Sequence, residues 1–554
     1  MSSIISSTDF KKLERFSRKT LEKIGIKNEI YRMLIVPKQK IVLKRLEKLV
    51  NKTPELKNPK TKKDGKKIIF HSLDARYMLH TFLEGGISKS LQLRGHDTKM
   101  ILCGGALSMC TTFHRINHPP NEWSCKNCIN FSERFYKTVG LNYAVYSDYI
   151  NSEKYDKISD EIKTLSVDKC KKYVYKHVNV GQHAEISANR FFKGYISSKK
   201  LYDEILRKEL LNAIKATDVA EKVIEKEKPD ILVTSHGCYS SWGSFADYFT
   251  QNGIRMCVWA TGEGNTVTID RHKSDEHFNI YYNNIRKRKE LNEKESKELE
   301  NFLNRRIKGR EGQVALYGFS EVKEEKLVKE FDLDKYKKVY AMFPNVPWDA
   351  ASTNANIVFD SVYNWVSTTI NIFKKHPGFL LIIKIHPSEV KVMESKKTMK
   401  EYILEEFGSL PKNIKIIPAD TEISPYSLLS LIDYGIVYNG TIGIEMVLKG
   451  IPVIVAGKAH YGNKGFTYDV KSKKEYEKLL FEKNKEVKEK KRKAEVYAYF
   501  HFIKKFIPRS FTYNNSFLDI GWDINSLKDF YPGNDKYLDH ICEYILNDGV
   551  FENW

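Results

Sequence analysis

Residues 438–462 read YNGTIGIEMVLKGIPVIVAGKAHYG. A polar Asn-Gly-Thr turn leads into an apolar stretch at helical spacing. Gly-Pro then breaks it, and a β-branched run, IPVIV, follows. Short apolar runs bounded by turn residues read as strands of a parallel sheet, buried on both faces. The stretch is therefore the helix-to-strand half of a βαβ unit, and YGIVYN (434–439) is the strand before it. Ligands of such sheets sit beyond the carboxyl ends of the strands. Asn439, Gly440 and Thr441 lie at that position, with Thr441 as the expected N-cap of the next helix. Glu445 falls four residues after Thr441 and shares its helix face. A phosphate suits the helix start, and the carboxylate suits ribose hydroxyls.

The same grammar extends in both directions. KKVYAMFPN starts a series near residue 337, and FLLIIKIHP, NIKIIPAD, YGIVYN and IPVIVAG continue it. Helical segments SVYNWVSTTINIFKKHP, SPYSLLSLIDY and TIGIEMVLKG alternate with these strands. This is the pattern of a doubly wound, largely parallel sheet. An earlier series begins at Lys67 with KIIFHSL, TKMILC, DILVTSH and IRMCVWA. Two α/β domains fit a chain of 554 residues, which is too long for one core. The expected division is a basic helical extension and linker at 1–66, a first α/β domain at 67–330, a second at 331–500, and a helical tail at 501–554 packing back on both.

The strand FLLIIKIHPSE ends in Lys384, His386 and Glu389. Period-2 alternation puts Lys384 and His386 on one side. A cation pair at a strand's carboxyl end can hold a donor phosphate and stabilise a leaving nucleotide. In the first domain His236 ends the strand DILVTSH and Asp74 follows the strand KIIFH. Each is a candidate general base for an acceptor hydroxyl.

Net charge is +22, but residues 1–67 hold 20 Lys/Arg against 7 Asp/Glu, or +13 of it. The basicity belongs to one end. With no aromatic-basic stacking platform, nucleic-acid binding is not expected. Residues 8–50 form a basic amphipathic helical stretch, and an anionic membrane face is a candidate partner. No export signal or membrane-spanning run is read, so a cytoplasmic protein, peripheral at the inner membrane face, is expected. Cys103, Cys110, Cys125 and Cys128 follow C-x6-C-x14-C-x2-C. Structural zinc or an iron–sulfur cluster is a candidate occupant, with His114 and His118 as alternative ligands, and buried free thiols are the other reading.

The stretches FPNVPWDAA (343–351), KIHPSE (384–389), SPYSL (424–428) and 439–469 together resemble the capsule polysaccharide biosynthesis family of glycosyltransferases. That family includes bacterial enzymes transferring the acidic sugar Kdo. The resemblance implies a GT-B architecture: two Rossmann-like domains facing across a cleft, with the nucleotide-sugar on the second and the acceptor on the first. It implies His386 on the donor phosphate and Thr441, Gly443 and Glu445 on the nucleotide, with no metal required for catalysis. The expected partners are a CMP- or UDP-linked sugar and a saccharide or lipid-linked acceptor. A sugar-nucleotide epimerase and a non-catalytic assembly protein share the layout and are the alternatives. Removing His386 or Glu445 is expected to silence donor binding without touching the fold.

Overall fold

The computed structural model describes residues 27–73, 78–110, 122–151, 153–262, 265–270, 287–308, 319, 324–349, 356–391, 397–482, 488–516 and 519–547. Asp74, His114, His118 and residues 8–26 of the basic extension lie outside the described residues.

The first series of strands comprises β1 (Lys67–His71), β2 (Asp97–Leu102), β3 (Asn142–Val145), β4 (Ile231–Thr234), β5 (Arg255–Thr261) and β6 (Thr266–Asp270). The second comprises β7 (Lys338–Phe343), β8 (Phe379–Lys384), β9 (Ile414–Ile417), β10 (Tyr434–Val437), β11 (Val453–Val455) and β12 (Tyr468–Asp469). Three more follow in the tail: β13 (Ile507–Pro508), β14 (Thr512–Ser516) and β15 (Asp519–Trp522). The first sheet runs β13-β6-β5-β4-β1-β2-β3, and the second β12-β11-β10-β7-β8-β9. The second sheet is parallel throughout. The first is parallel from β5 to β3, with β6 and β13 antiparallel at its edge. These two Rossmann-like sheets make the GT-B layout.

Both faces of the second sheet are buried, which is why its strands are continuously apolar. Alternate residues of β7 serve different cores. Val339, Ala341 and Phe343 join one cluster, and Tyr340 and Met342 join the other, with Trp365 of the helix Val362–Lys374. The first cluster also holds Tyr497, Phe502 and Ile507 of the returning chain and Phe70, Val233 and Trp259 of the first sheet, so apolar packing is continuous between the lobes.

Over its described residues the expected helical tail at 501–554 combines short strands with helical turns and one longer helix. β13 pairs with β6, and the hairpin β14–β15 packs on the helix Met78–Leu93, where Trp522 Nε1 donates to Phe82 O at 2.7 Å. One helix, Lys536–Leu546, completes this return, tied by the Arg94–Asp539 ion pair. The alternation TYNNS and DIGW is too short and polar to announce a hairpin. The stretch SPYSLLSLIDY forms a 3₁₀ turn only, Pro425–Leu428. The helix Lys488–Tyr499 is exposed over its charged first half and buries Ala494, Val496 and Tyr497.

In the basic extension, the helix Lys27–Val50 buries Val42, Leu43, Leu46 and Val50 in the first core and packs against the helix Glu122–Val139. That apolar face is occupied by protein. Among the described residues no helix is long and apolar enough to cross a membrane.

Candidate active site

The register of the second sheet sets the site. Met342 pairs with Ile383, and Phe343 pairs with Val437. Two residues further on, Asn345, His386 and Asn439 leave three neighbouring strands at one level. Across two strand spacings, His386 and the Asn-Gly-Thr turn are roughly 10 Å apart. Asn345 ties the row together: its Oδ1 accepts from the Asn439 amide at 3.2 Å. The sequence quoted Asn345 within FPN but gave it no role.

His386 is half-buried at the mouth of β8. Its Nδ1 accepts from the Ser388 amide at 3.1 Å, which selects the tautomer with the proton on Nε2. Burial, and then the Lys384 charge, lower its pKa to about 4. The expected cation pair is therefore a neutral imidazole beside one ammonium. Lys384 itself is 3% exposed, and its Nζ donates to Ile385 O at 3.2 Å and Pro418 O at 3.5 Å. Backbone carbonyls hold it beneath the surface, where its field keeps His386 unprotonated and favours an anion at the strand end.

Around the turn, Tyr461 Oη donates to Gly440 O at 2.6 Å. A Cβ on Gly440 would stand in ordinary contact with Asn345, at 3.6 Å, and Ile442, at 3.8 Å, so a small side chain would fit here. A Cβ on Gly443 would stand 2.2 Å from Tyr461 Oη, so this glycine serves the tyrosine that pins the turn. Thr441 occupies the N-cap position, but its side chain makes no capping hydrogen bond, and its backbone is already helical. The helix it opens, Ile442–Leu448, is only 7 residues long. A phosphate placed here would depend more on the turn's backbone and His386 than on a helix dipole.

Glu445 is placed differently from expectation. It is 4% exposed, and Arg306 Nε donates to its Oε1 at 2.5 Å. Arg306, at 9% exposure, comes from the helix Glu293–Ile307 and packs on the Phe502 ring. Tyr426 adjoins both, and burial followed by the Glu445 charge raises its phenol far above its usual range. The pair spans 139 residues, so no local motif could have announced it.

Glu389 is also not presented to a ligand. It is 1% exposed, and its Oε2 accepts from the Met399 amide at 2.9 Å, at the start of the helix Met399–Phe407. Its Oε1 has no hydrogen-bond partner among the described residues. Burial, with a smaller push from Glu401, raises its pKa to about 7, against the opposing Met399 hydrogen bond. A folded-state pKa above the unfolded one means the native state binds the extra proton. Stability from this group is fully present below about 4.5 and is lost as pH rises through about 7. Glu389→Gln should match the parent in chemical denaturation at pH 5 and exceed it at pH 8 by up to ~3 kcal/mol. An equal gain at both pH values would show that the proton is not involved.

In the first lobe, His236 stands two residues past the end of β4, with Ser235 Oγ 2.9 Å from its Nδ1. Its ring lies 5.2 Å from Trp242 and 6.3 Å from His80. His80 packs edge-on to Trp259, whose Nε1 donates to the buried Glu84 at 3.1 Å. The residues after His236, Tyr239–Gly243, form a π-helical turn, a form concentrated at functional sites.

The two lobes touch where the chain after the helix Val180–Phe191 meets the second lobe. Tyr363 Oη donates to Gly194 O at 3.1 Å, and Gly194, at φ +77°, abuts Pro347. The cysteines lie elsewhere, following β2. Burial and the neighbouring Cys125 raise the Cys103 thiol. Among the described residues no group of three or more His, Cys, Asp or Glu is placed to hold a metal ion.

Two Rossmann-like sheets, with a histidine and an Asn-Gly-Thr turn at the strand ends of the second, make a GT-B fold. Residues 304–502, which contain His386, the turn and the Arg306–Glu445 pair, match the family described as capsule polysaccharide biosynthesis protein, in agreement with the resemblance read from the sequence. Similar solved structures include the β-Kdo 2,4-transferase KpsC of Thermosulfurimonas dismutans, at 13% identity over 55% of this chain and 88% of that one, with a TM-score of 0.34. A UDP-GlcNAc 2-epimerase of Neisseria meningitidis bound to UDP-GlcNAc matches at 11% identity, over 78% and 95% of the chains, with a TM-score of 0.23. An α,α-trehalose 6-phosphate synthase of Burkholderia multivorans matches at 11%, over 79% and 95%, with a TM-score of 0.29. No curated protein matches the chain.

Proposed function

We propose that this protein is a glycosyltransferase that moves a sugar from a nucleotide-sugar to a saccharide or lipid-linked acceptor during assembly of a surface polysaccharide. The observation that carries this reading is His386: a neutral imidazole, held by the Ser388 amide in the tautomer with its proton on Nε2, at the mouth of a parallel sheet. The match of residues 304–502 supports it.

In the reaction, the acceptor oxygen attacks the anomeric carbon as the bond from that carbon to the donor phosphate breaks. The bonding pair leaves with the phosphate oxygen. The His386 N–H and the field of Lys384 stabilise the charge that develops there. The acceptor proton passes to a base on the first lobe, for which His236 is the candidate. Donors of the CMP and UDP classes are the ones to test first. In a thermal-shift panel of CMP-, UDP- and GDP-sugars, a true donor at 100 times its Kd should stabilise the protein by about 2.7 kcal/mol. Donor consumed with no acceptor present, yielding an epimer, would favour an epimerase. Silence across the panel would remove the donor-site reading.

A further inference from the structure

Arg190 stands in the last turn of the helix Val180–Phe191. Its Cζ lies 5.1 Å from the Tyr239 ring and 6.0 Å from the Trp348 ring. Tyr239 belongs to the strand-end turn of the first lobe, and Trp348 to the loop after β7 in the second. One guanidinium therefore bridges the loop after β4 in the first lobe and the loop after β7 in the second.

Aromatic rings attract a guanidinium but do not take up its five N–H donors. Among the described residues, the Arg190 side chain has those two ring contacts and no carboxylate or hydrogen-bond partner. Other arginines of the chain are engaged: Arg306 with Glu445, Arg207 with the Leu165 carbonyl, Arg509 with the Thr266 carbonyl. A half-buried guanidinium with its donors uncommitted suits a carboxylate or phosphate, which it can grip with two parallel bonds.

Two further observations converge on the same spot. Trp242 is 4% exposed, and its Nε1 donor is buried without a partner. Its ring is 6.4 Å from Tyr239 and 5.2 Å from His236. Tyr239 itself holds φ at +70°, in the left-handed region that a bulky residue rarely enters. The strained backbone places the phenol ring against Arg190.

We propose that Arg190, Tyr239, Trp242 and Trp348 form a subsite for an anionic saccharide acceptor: Arg190 takes its carboxylate or phosphate, the rings pack on the C–H face of the sugar, and Trp242 donates to a hydroxyl. This rests on the glycosyltransferase reading for the identity of the saccharide as acceptor, and not for its binding.

The test titrates the full-length protein with glucuronate, glucose 6-phosphate and glucose at matched ionic strength, following tryptophan fluorescence. Glucuronate, glucose 6-phosphate or both should change the signal, and glucose should not. Whichever responds identifies the oxyanion. Arg190→Gln should weaken that response roughly tenfold to hundredfold. Arg190→Lys should recover part of it, and Trp242→Phe should weaken it with the charge intact. Equal responses to glucose and to the anionic sugars would overturn the proposal. So would an unchanged response in Arg190→Gln, or unfolding of both arginine variants, which would make the residue a structural clamp. The nucleotide response of Arg190→Gln should persist. Loss of that response in the parent protein would count against the glycosyltransferase reading alone.

Discussion

His386→Ala should lower turnover by roughly 10²–10³-fold, the usual cost of removing one donor aimed at a developing oxyanion. It should also erase the nucleotide-dependent thermal shift. The melting temperature without ligand should barely move, because the imidazole sits only half-buried at the sheet mouth. The pH dependence provides a second reading. With its pKa at about 4, the imidazole stays neutral through the working range and enters the reaction as an N–H donor. Its stability contribution is present above about 6.5 and fades as pH falls through about 4. Kinetics showing a required protonated group near 6.5 that vanishes in His386→Ala would mean the residue works as a cation after all. Parallel assays of His386→Asn, which retains an N–H donor, should show partial rescue.

Arg306→Ala should cost about 3–5 kcal/mol of stability, because it leaves the Glu445 carboxylate buried and uncompensated. This revises what the sequence implied for Glu445, whose removal was expected to spare the fold. With Glu445 at 4% and Arg306 at 9% exposure, neither can be cut singly without stranding the other. The double variant Arg306→Met with Glu445→Leu should regain most of the loss, since apolar side chains of similar volume replace buried pairs well. That variant also decides what Glu445 does. If it folds but no longer shifts with the nucleotide, Glu445 contacts the donor. If it still shifts, the pair is scaffolding, positioning the helix Ile442–Leu448 under the Asn-Gly-Thr turn. A double variant no more stable than Arg306→Ala would mean the pair's other contacts, Tyr426 and Phe502, hold this corner.

Much of the second lobe was legible because buried parallel strands must be apolar on both faces and must end in turn residues. β7 to β11 all fall within the stretches read as strands, and His386 and Asn439 lie where strand-end reasoning placed them. Strands that obey other rules escaped. β13 is two residues that pair with β6 across 240 positions of sequence, and the hairpin β14–β15 draws its burial from the helix Met78–Leu93 rather than from its own pattern.

What the sequence alone determined is the alternation of buried strands and helices and the polar residues at the strand ends, since both are written in local periodicity. What only tertiary structure decided is the state of those polar groups. His386 is neutral because packing strips its water and Lys384 lies beside it. Glu445 and Glu389 are buried, one paired with an arginine 139 residues away and the other left with a pKa of about 7. Arg190 faces both lobes because two distant loops converge on it. Desolvation and long-range pairing depend on which surfaces meet in space, and local spacing carries no record of that.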